Sequence, residues 1–306
     1  MSGRIVAVVG PTCTGKSELS ILLAKEFGGV IINADSMQVY KHFDIGTAKP
    51  DLAMRRTVRH YLIDIVEPFD EFNAGLFSEK AACCIDEAWS EGMVPILVGG
   101  TGLYLKALLY GLFSAPKDSR LREELGVEYS EDPLVFYEKL KGVDPDYALR
   151  ISFRDKVRVV RAMEVFKTTG RPMSELSRAH GFRESRYDVL KIALNKERSE
   201  LYARIDKRVD EMLEAGWVEE VRQVLSLGYT EDAKPFSSIG YREILQHLKG
   251  FISHEDMIKD IKKQTRHYAK RQITWFAKER DLVWFKHPDD LPSIRKAVLE
   301  YLKYGT

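Results

Sequence analysis

Three cysteines in 306 residues leave little room for cysteine chemistry. Cys13 stands alone while Cys83 and Cys84 are neighbours, an odd set without C-x-x-C spacing. That argues against a disulfide framework and a zinc site, and it suits a reducing, cytoplasmic compartment. None of the seven histidines falls at a metal-ligand spacing. No apolar run approaches the roughly 20 residues of a membrane span, and the first strand pattern starts too early for a signal peptide to precede it. Net charge is nearly absent too. Lys+Arg 47 against Asp+Glu 46 leaves +1, so any basic surface must be local. Repeats and low-complexity segments are missing. The 44% hydrophobic content is ample for a core, in one large domain or two smaller ones.

What is present begins at residue 5. Residues 5–9 are an apolar, β-branched run of the kind that forms a buried parallel strand. Gly10, Gly15, Lys16 and Ser17 then satisfy G-x-x-x-x-G-K-[ST]. Apolar residues at Leu19, Leu22, Leu23 and Phe27 predict a helix from the loop's end. In that setting the glycines let successive N–H groups turn inward on an anion, and the helix N-terminus adds partial positive charge. Lys16 would neutralise distal phosphate oxygens, and the Ser17 hydroxyl is placed to hold Mg²⁺. A phosphorylated ligand follows; its identity does not.

Strand and helix signals alternate through strand 5–9, helix 17–27, strand 30–33, a helix near 75–91 and strand 94–98. This predicts an α/β fold, a P-loop NTPase-like parallel sheet covered by helices. Residues 103–110 read as a further helix. From about Pro116 the composition shifts to an acid-rich stretch over 118–132 and then a basic helix near 154–167, before a strand pattern resumes at 189–194. The expected organisation is a core of residues 1–114 and 186–306 carrying a helical insertion at 115–185. After residue 198 everything reads as a helical C-terminal part, apart from loops near 228–235 and 288–292.

Asn33-Ala34-Asp35-Ser36-Met37-Gln38-Val39-Tyr40 follows the strand at 30–33. Ligands of an open α/β sheet collect at the carboxyl ends of its strands. An acid there, on a strand expected to neighbour the first, would face the contents of the phosphate loop. Asp35 serves equally well as a helix N-cap, and spacing alone leaves both roles open. Gly99-Gly100-Thr101-Gly102 follows the strand at 94–98, with glycines that allow close backbone approach and a Thr101 hydroxyl. That strand ends without Asp or Glu, where an ATPase typically places its magnesium-binding carboxylate. ATP hydrolysis is weakened, not excluded.

Basic residues gather over 150–171, including Arg161, and over 262–280, where Tyr268, Trp275 and Phe276 are interleaved. Lys262, Arg266 and Lys270 fall at i, i+4, i+8 along one helical face. Cations with aromatics suit a phosphate backbone with unpaired bases; solvated helices with core aromatics are the plain alternative. His60 is open to a role as base or as a structural histidine. Arg204 and Arg208, one turn apart, are open to holding a diphosphate or to pairing with Asp210 or Glu211.

Taken together, these segments resemble the tRNA dimethylallyltransferase (tRNA isopentenyltransferase) family. The resemblance is carried by Gly10-Pro-Thr-Cys-Thr-Gly-Lys-Ser17, Asn33-Ala-Asp-Ser-Met-Gln-Val-Tyr40, Gly46-Thr-Ala-Lys-Pro50 and Gly99-Gly-Thr-Gly-Leu-Tyr104. Val159-Val-Arg-Ala-Met-Glu-Val165, Ser238-Ile-Gly-Tyr-Arg242 and Lys270-Arg-Gln-Ile-Thr-Trp275 continue it in the family's order, so that it spans residue 4 to about 277. The loop alone is generic, whereas the set is highly specific.

The resemblance implies transfer of a dimethylallyl group from dimethylallyl diphosphate to N6 of the adenosine 3′ of the anticodon, with release of diphosphate and with Mg²⁺. It implies a donor site lined by Gly10, Thr12, Cys13, Thr14, Gly15, Lys16 and Ser17, with Ser17 on the metal. It implies Asp35 as general base for N6, Thr101 at the acceptor adenosine and Arg208 on the diphosphate. Contacts to the anticodon stem–loop are implied for Asp35, Ser36, Met37, Gln38 and Thr101, and for Val159, Val160, Arg161, Ala162 and Met163. The same holds for Ser238, Gly240, Arg242, Lys270, Arg271, Gln272 and Trp275. A cytoplasmic monomer without membrane contact is expected. Cys13-Thr14 departs from the family's commoner Ala-Ser, a change expected to leave the loop amides unaffected. Two alternatives remain: a P-loop kinase acting on a nucleoside or small metabolite, and an RNA-binding protein switched by a nucleotide. The kinase predicts an ATP base pocket in place of two cationic helices, and the switch needs no Asp35.

Overall fold

Burial on both faces is what an apolar β-branched run demands, and the first strand has it. In the computed structural model, which describes residues 3–113, 115–182 and 184–305, β1 (Arg4–Val9) buries Ile5, Val6, Ala7 and Val8 completely. Each of the Ile and Val side chains contributes about 1.5–3 kcal/mol. The chain continues through α1 (Lys16–Phe27), β2 (Gly29–Asn33), α2 (Leu52–Thr57), the two-residue β3 (His60–Tyr61), α3 (Ala74–Ser90), β4 (Val94–Gly99) and α4 (Gly102–Tyr110). Five helices follow: α5 (Ser119–Glu131), α6 (Pro133–Val143), α7 (Pro145–Ala148), α8 (Lys156–Thr169) and α9 (Met173–His180). The sheet then resumes with β5 (Asp188–Asn195), followed by α10 (Arg198–Glu214), α11 (Trp217–Ser226), α12 (Tyr241–Leu248), α13 (His254–Phe276), β6 (Leu282–Lys286) and α14 (Leu291–Tyr304).

The fold is α/β, with a six-stranded parallel sheet in the order β3-β2-β4-β1-β5-β6. Two expectations are corrected here. The region after residue 198 is not all helical, because Leu282–Lys286 pairs with β5 from Lys191↔Leu282 to Asn195↔Lys286. And β2 does not neighbour β1: β4 lies between them, pairing Val6↔Ile96 on one side and Ile31↔Ile96 on the other.

The chain divides into two compact units, one running up to Leu109 and again from Arg186, the other spanning Tyr110–Ser185. In the first, Leu19 and Leu23 of α1 and Ile294, Val298 and Leu302 of α14 pack on the sheet residues Val6, Val8, Ile96 and Ile192. In the second, Leu125, Tyr129, Phe136, Leu140, Val159 and Met163 form a separate core. The acids of this stretch have local work. Asp118, Asp132, Asp144 and Asp155 each cap a helix by accepting a backbone N–H, for about 1 kcal/mol apiece. Glu164, its side chain fully buried, takes Arg122 and Arg161 as partners at 2.9 and 2.8 Å. Among the described residues no helix is long and apolar enough to cross a membrane.

Candidate active site

Beyond β1 the chain turns at Gly10, whose φ of 127° only glycine adopts without strain. A Cβ there would also stand 2.5 Å from the Leu194 carbonyl oxygen of β5. The loop is tied internally: the Thr14 hydroxyl donates to Pro11 O at 2.9 Å and Lys16 Nζ to the same oxygen at 2.6 Å. Cys13 sits in the left-handed region at φ 63°, and its side chain packs against Leu201 and Ile205 of α10 and Ala269 of α13. The Ala-Ser to Cys-Thr departure therefore touches packing as well as side-chain chemistry. Lys16 is half-buried by surface, yet protein surrounds its amine. That desolvation lowers its pKa to about 8, against the pull of the Asp35 charge, while Arg208 adds to the lowering.

Because β4 intervenes, the loop after β2 must reach the phosphate loop across the end of that strand. Two glycines make this possible. A Cβ on Gly99 would lie 2.2 Å from Ala34 O, and one on Gly100 would lie 2.0 Å from Gln272 Nε2. The Thr101 hydroxyl, next in line, accepts the Ser36 amide at 3.1 Å. Asp35 caps no helix; its Oδ1 closes a turn by accepting Met37 N at 2.8 Å. Its Oδ2 receives no hydrogen bond among the described residues. Burial raises the Asp35 pKa, opposed by the Met37 and Gln38 amides and by the Lys16 charge. Lys16 and Asp35, 19 positions apart in sequence, thus share one electrostatic neighbourhood.

Helix α13 closes the arrangement. Gln272 is 5% exposed; its Oε1 accepts Thr12 N and its Nε2 donates to Gly100 O, both at 3.0 Å. It stitches the phosphate loop to the end of β4. Trp275 lies over Gly102, where a Cβ would be 2.1 Å from its ring, and stays 39% exposed. The cations that share one face of α13 have different partners. Lys262 pairs with Asp210 at 2.7 Å and Arg266 with Asp206 at 2.6 Å, both on α10, leaving Lys270 and Arg271 exposed. Arg204 pairs with Glu200 at 3.0 Å, whereas Arg208 has no carboxylate partner among the described residues. His60 is structural: its Nδ1 lies 2.8 Å from Val58 O, and burial lowers its pKa.

Residues 38–279 match the family model described as IPP transferase. The chain belongs to the IPP transferase family. It is 46% identical over 306 residues to "tRNA dimethylallyltransferase 2" of Geotalea daltonii, covering 99% of this chain and 93% of that protein. It is 46% identical over 300 residues to "tRNA dimethylallyltransferase 1" of Citrifermentans bemidjiense, covering 98% and 97%. Among solved structures, it superimposes on a full-length tRNA isopentenylpyrophosphate transferase from Bacillus halodurans with TM-score 0.74 at 35% identity, covering 99% and 98% of the two chains. A eukaryotic dimethylallyltransferase acting on tRNA gives TM-score 0.83 at 30% identity, covering 99% of this chain and 80% of the other.

For this IPP transferase, the structure divides the expected tRNA-facing set. Val159, Val160, Ala162 and Met163 lie in the core of the second unit, at most 6% exposed, which withdraws their side chains from any solvent-facing partner. Arg161 is engaged by Glu164 and by the carbonyls of Ala115 and Pro116. Gly240 is buried beneath Trp217, and the Ser238 hydroxyl is turned to Pro235 O. Met37 and Gln38 are half-buried, with the Gln38 amide donating to Thr47 O and Ala48 O. Arg242, Lys270, Arg271 and Trp275 are exposed. Tyr268 was missed. It had figured only as an aromatic within a basic stretch, and only its one-turn offset from Gln272 could have signalled more.

Proposed function

We propose that this chain transfers the dimethylallyl group of dimethylallyl diphosphate to N6 of the adenosine 3′ of the anticodon in tRNA, releasing diphosphate in the cytosol. The observation that supports it most is Asp35: a carboxylate with one oxygen fixed in a turn and the other unengaged, electrostatically coupled to the phosphate-loop lysine. In the step proposed, the bond from N6 to the prenyl C1 forms as the bond from C1 to the diphosphate oxygen breaks. N6 is an aromatic amine and a poor nucleophile, so Asp35 Oδ2 takes its proton as the new bond develops. The phosphate loop, Lys16 and Arg208 meet the charge that grows on the leaving diphosphate.

The donor set also fits Mg²⁺. The Ser17 hydroxyl is exposed at the start of α1, and Mg²⁺ prefers one or two protein oxygens completed by phosphate and water. No group of three or more His, Cys, Asp or Glu among the described residues offers a protein cage instead. Bound there, Mg²⁺ would neutralise the departing diphosphate. The core assigned to residues 1–114 and 186–306 would carry this chemistry, and the insertion at 115–185 would add grip on the tRNA. Arg242, Lys270, Arg271 and Trp275 offer the core's exposed cations and ring to an unpaired loop, whose target base leaves its stack at little cost.

The deciding experiment supplies Mg²⁺ and unmodified tRNA together with either prenyl-labelled dimethylallyl diphosphate or γ-labelled ATP. Label reaching tRNA from the prenyl donor alone is the expected result. A phosphorylated product from ATP would replace this function with that of a kinase.

A further inference from the structure

Tyr268 and Gln272 stand one turn apart on the same face of α13. The Gln272 amide is held between Thr12 N and Gly100 O, so the face it shares with Tyr268 looks onto the ends of β1 and β4. The Tyr268 phenol lies beside the Thr101 hydroxyl and the Gln272 side chain, within the field of the Asp35 carboxylate. Nothing in the proposed chemistry uses it. Nearby donors are already engaged in part: the Ser36 amide on Thr101, one N–H of the Gln272 amide on Gly100 O, and the Gln38 amide on Thr47 O and Ala48 O.

A base that takes a proton from N6 needs the purine held in one orientation. A single hydrogen bond from N6 to Asp35 leaves the ring free to swing about it, and a second bond on an adjacent atom fixes it. Adenine flanks N6 with two acceptors, N1 and N7, so the second group must be a donor. We propose that the Tyr268 hydroxyl donates to a ring nitrogen flanking N6 of the acceptor adenine, fixing the amine on Asp35. This rests on the prenyl-transfer function above. Burial pushes the phenol well above its ordinary range, so it remains a donor at every working pH.

The test compares wild type with Tyr268→Phe on anticodon stem–loops carrying adenosine, 1-deazaadenosine or 7-deazaadenosine at the acceptor position. Tyr268→Phe should cost on the order of 10- to 100-fold in kcat/KM on adenosine, with the KM for dimethylallyl diphosphate unchanged. One of the two analogues should cost wild type a similar factor and cost the variant nothing further, because the bond it removes is already gone. A Tyr268 that merely buttressed Thr101 would give penalties that multiply for both analogues, and that result overturns the proposal. So would wild-type turnover of adenosine by the variant. Failure of wild type to transfer any prenyl group would instead overturn the underlying function, and this proposal with it.

Discussion

Lys16 and Asp35 pull each other's proton affinity toward the charged forms, yet desolvation wins at both. The lysine ends at about 8 and the aspartate above its ordinary 3.8. The signs fix a pH profile. Donor binding needs the ammonium, which the free protein loses as pH rises through about 8, so the KM for dimethylallyl diphosphate should climb about tenfold per pH unit beyond that. Proton removal from N6 needs the carboxylate, so the acid limb should lie above 3.8. Steady-state rates from pH 4 to 10 check both limbs; an alkaline limb that survives Lys16→Ala would remove Lys16 from it. Asp35→Asn keeps the turn to Met37 but cannot take a proton. It should lower kcat by roughly 10²–10⁴-fold while the tRNA Kd stays put, and near-wild-type turnover would take Asp35 out of the mechanism. Lys16 was legible from the phosphate-loop motif at the start of α1, and Asp35 from its place two residues beyond β2. The bridging part of Gln272, and Tyr268, were not, since Thr12, Gly100 and Thr101 lie more than 160 positions away.

Element by element, α13 does two jobs that its sequence blends into one. Lys262 and Arg266 face α10 and meet Asp210 and Asp206; such half-exposed pairs are worth about 0.2–1 kcal/mol each. Lys270 and Arg271 face solvent. A helical row of cations looks the same in sequence whether or not another helix supplies the acids. The salt dependence of tRNA binding separates the two jobs. Neutralising Lys270 and Arg271 together should flatten the log Kd versus log salt slope by about 1.4–1.8, whereas Lys262→Gln should leave the slope unaltered. Equal slopes for all variants would return the whole helix to a structural role. The clamp through Gln272 gives a second prediction. Gly100→Ala places a Cβ 2.0 Å from Gln272 Nε2, so it should cost about 1–3 kcal/mol in denaturant unfolding and raise the donor KM through Thr12. A variant of wild-type stability would mean that the clamp yields without strain.

For the molecule as a whole, local periodicity revealed which segments are strands but not their order. The placement of β4 between β1 and β2 comes from pairing of Ile96 with Val6, 90 residues away, and with Ile31, 65 residues away, which no local pattern encodes. β6 escaped notice for a related reason: a five-residue edge strand with Val283 46% exposed lacks the continuous apolar run of a buried one. Composition changes near Pro116, whereas the compact units divide after Leu109 and before Arg186. The Arg186 amide donates to Leu109 O at 2.7 Å, so the chain leaves the first unit and re-enters it at adjacent points. Among the described residues, the cluster that packs α1 and α14 on the sheet draws nothing from residues 110–185. Replacing 110–185 by a short Gly/Ser linker should therefore close a small loop at little entropic cost. The shortened chain should melt cooperatively and keep the donor Kd by calorimetry, since Gly10 to Ser17, Asp35, Thr101, Arg208 and Gln272 all remain. Its affinity for the anticodon stem–loop should fall, because the exposed cations of α8 go with the excised unit. Loss of a cooperative transition would show that the sheet needs the insertion to fold, and an undiminished RNA affinity would place the whole tRNA grip on the core.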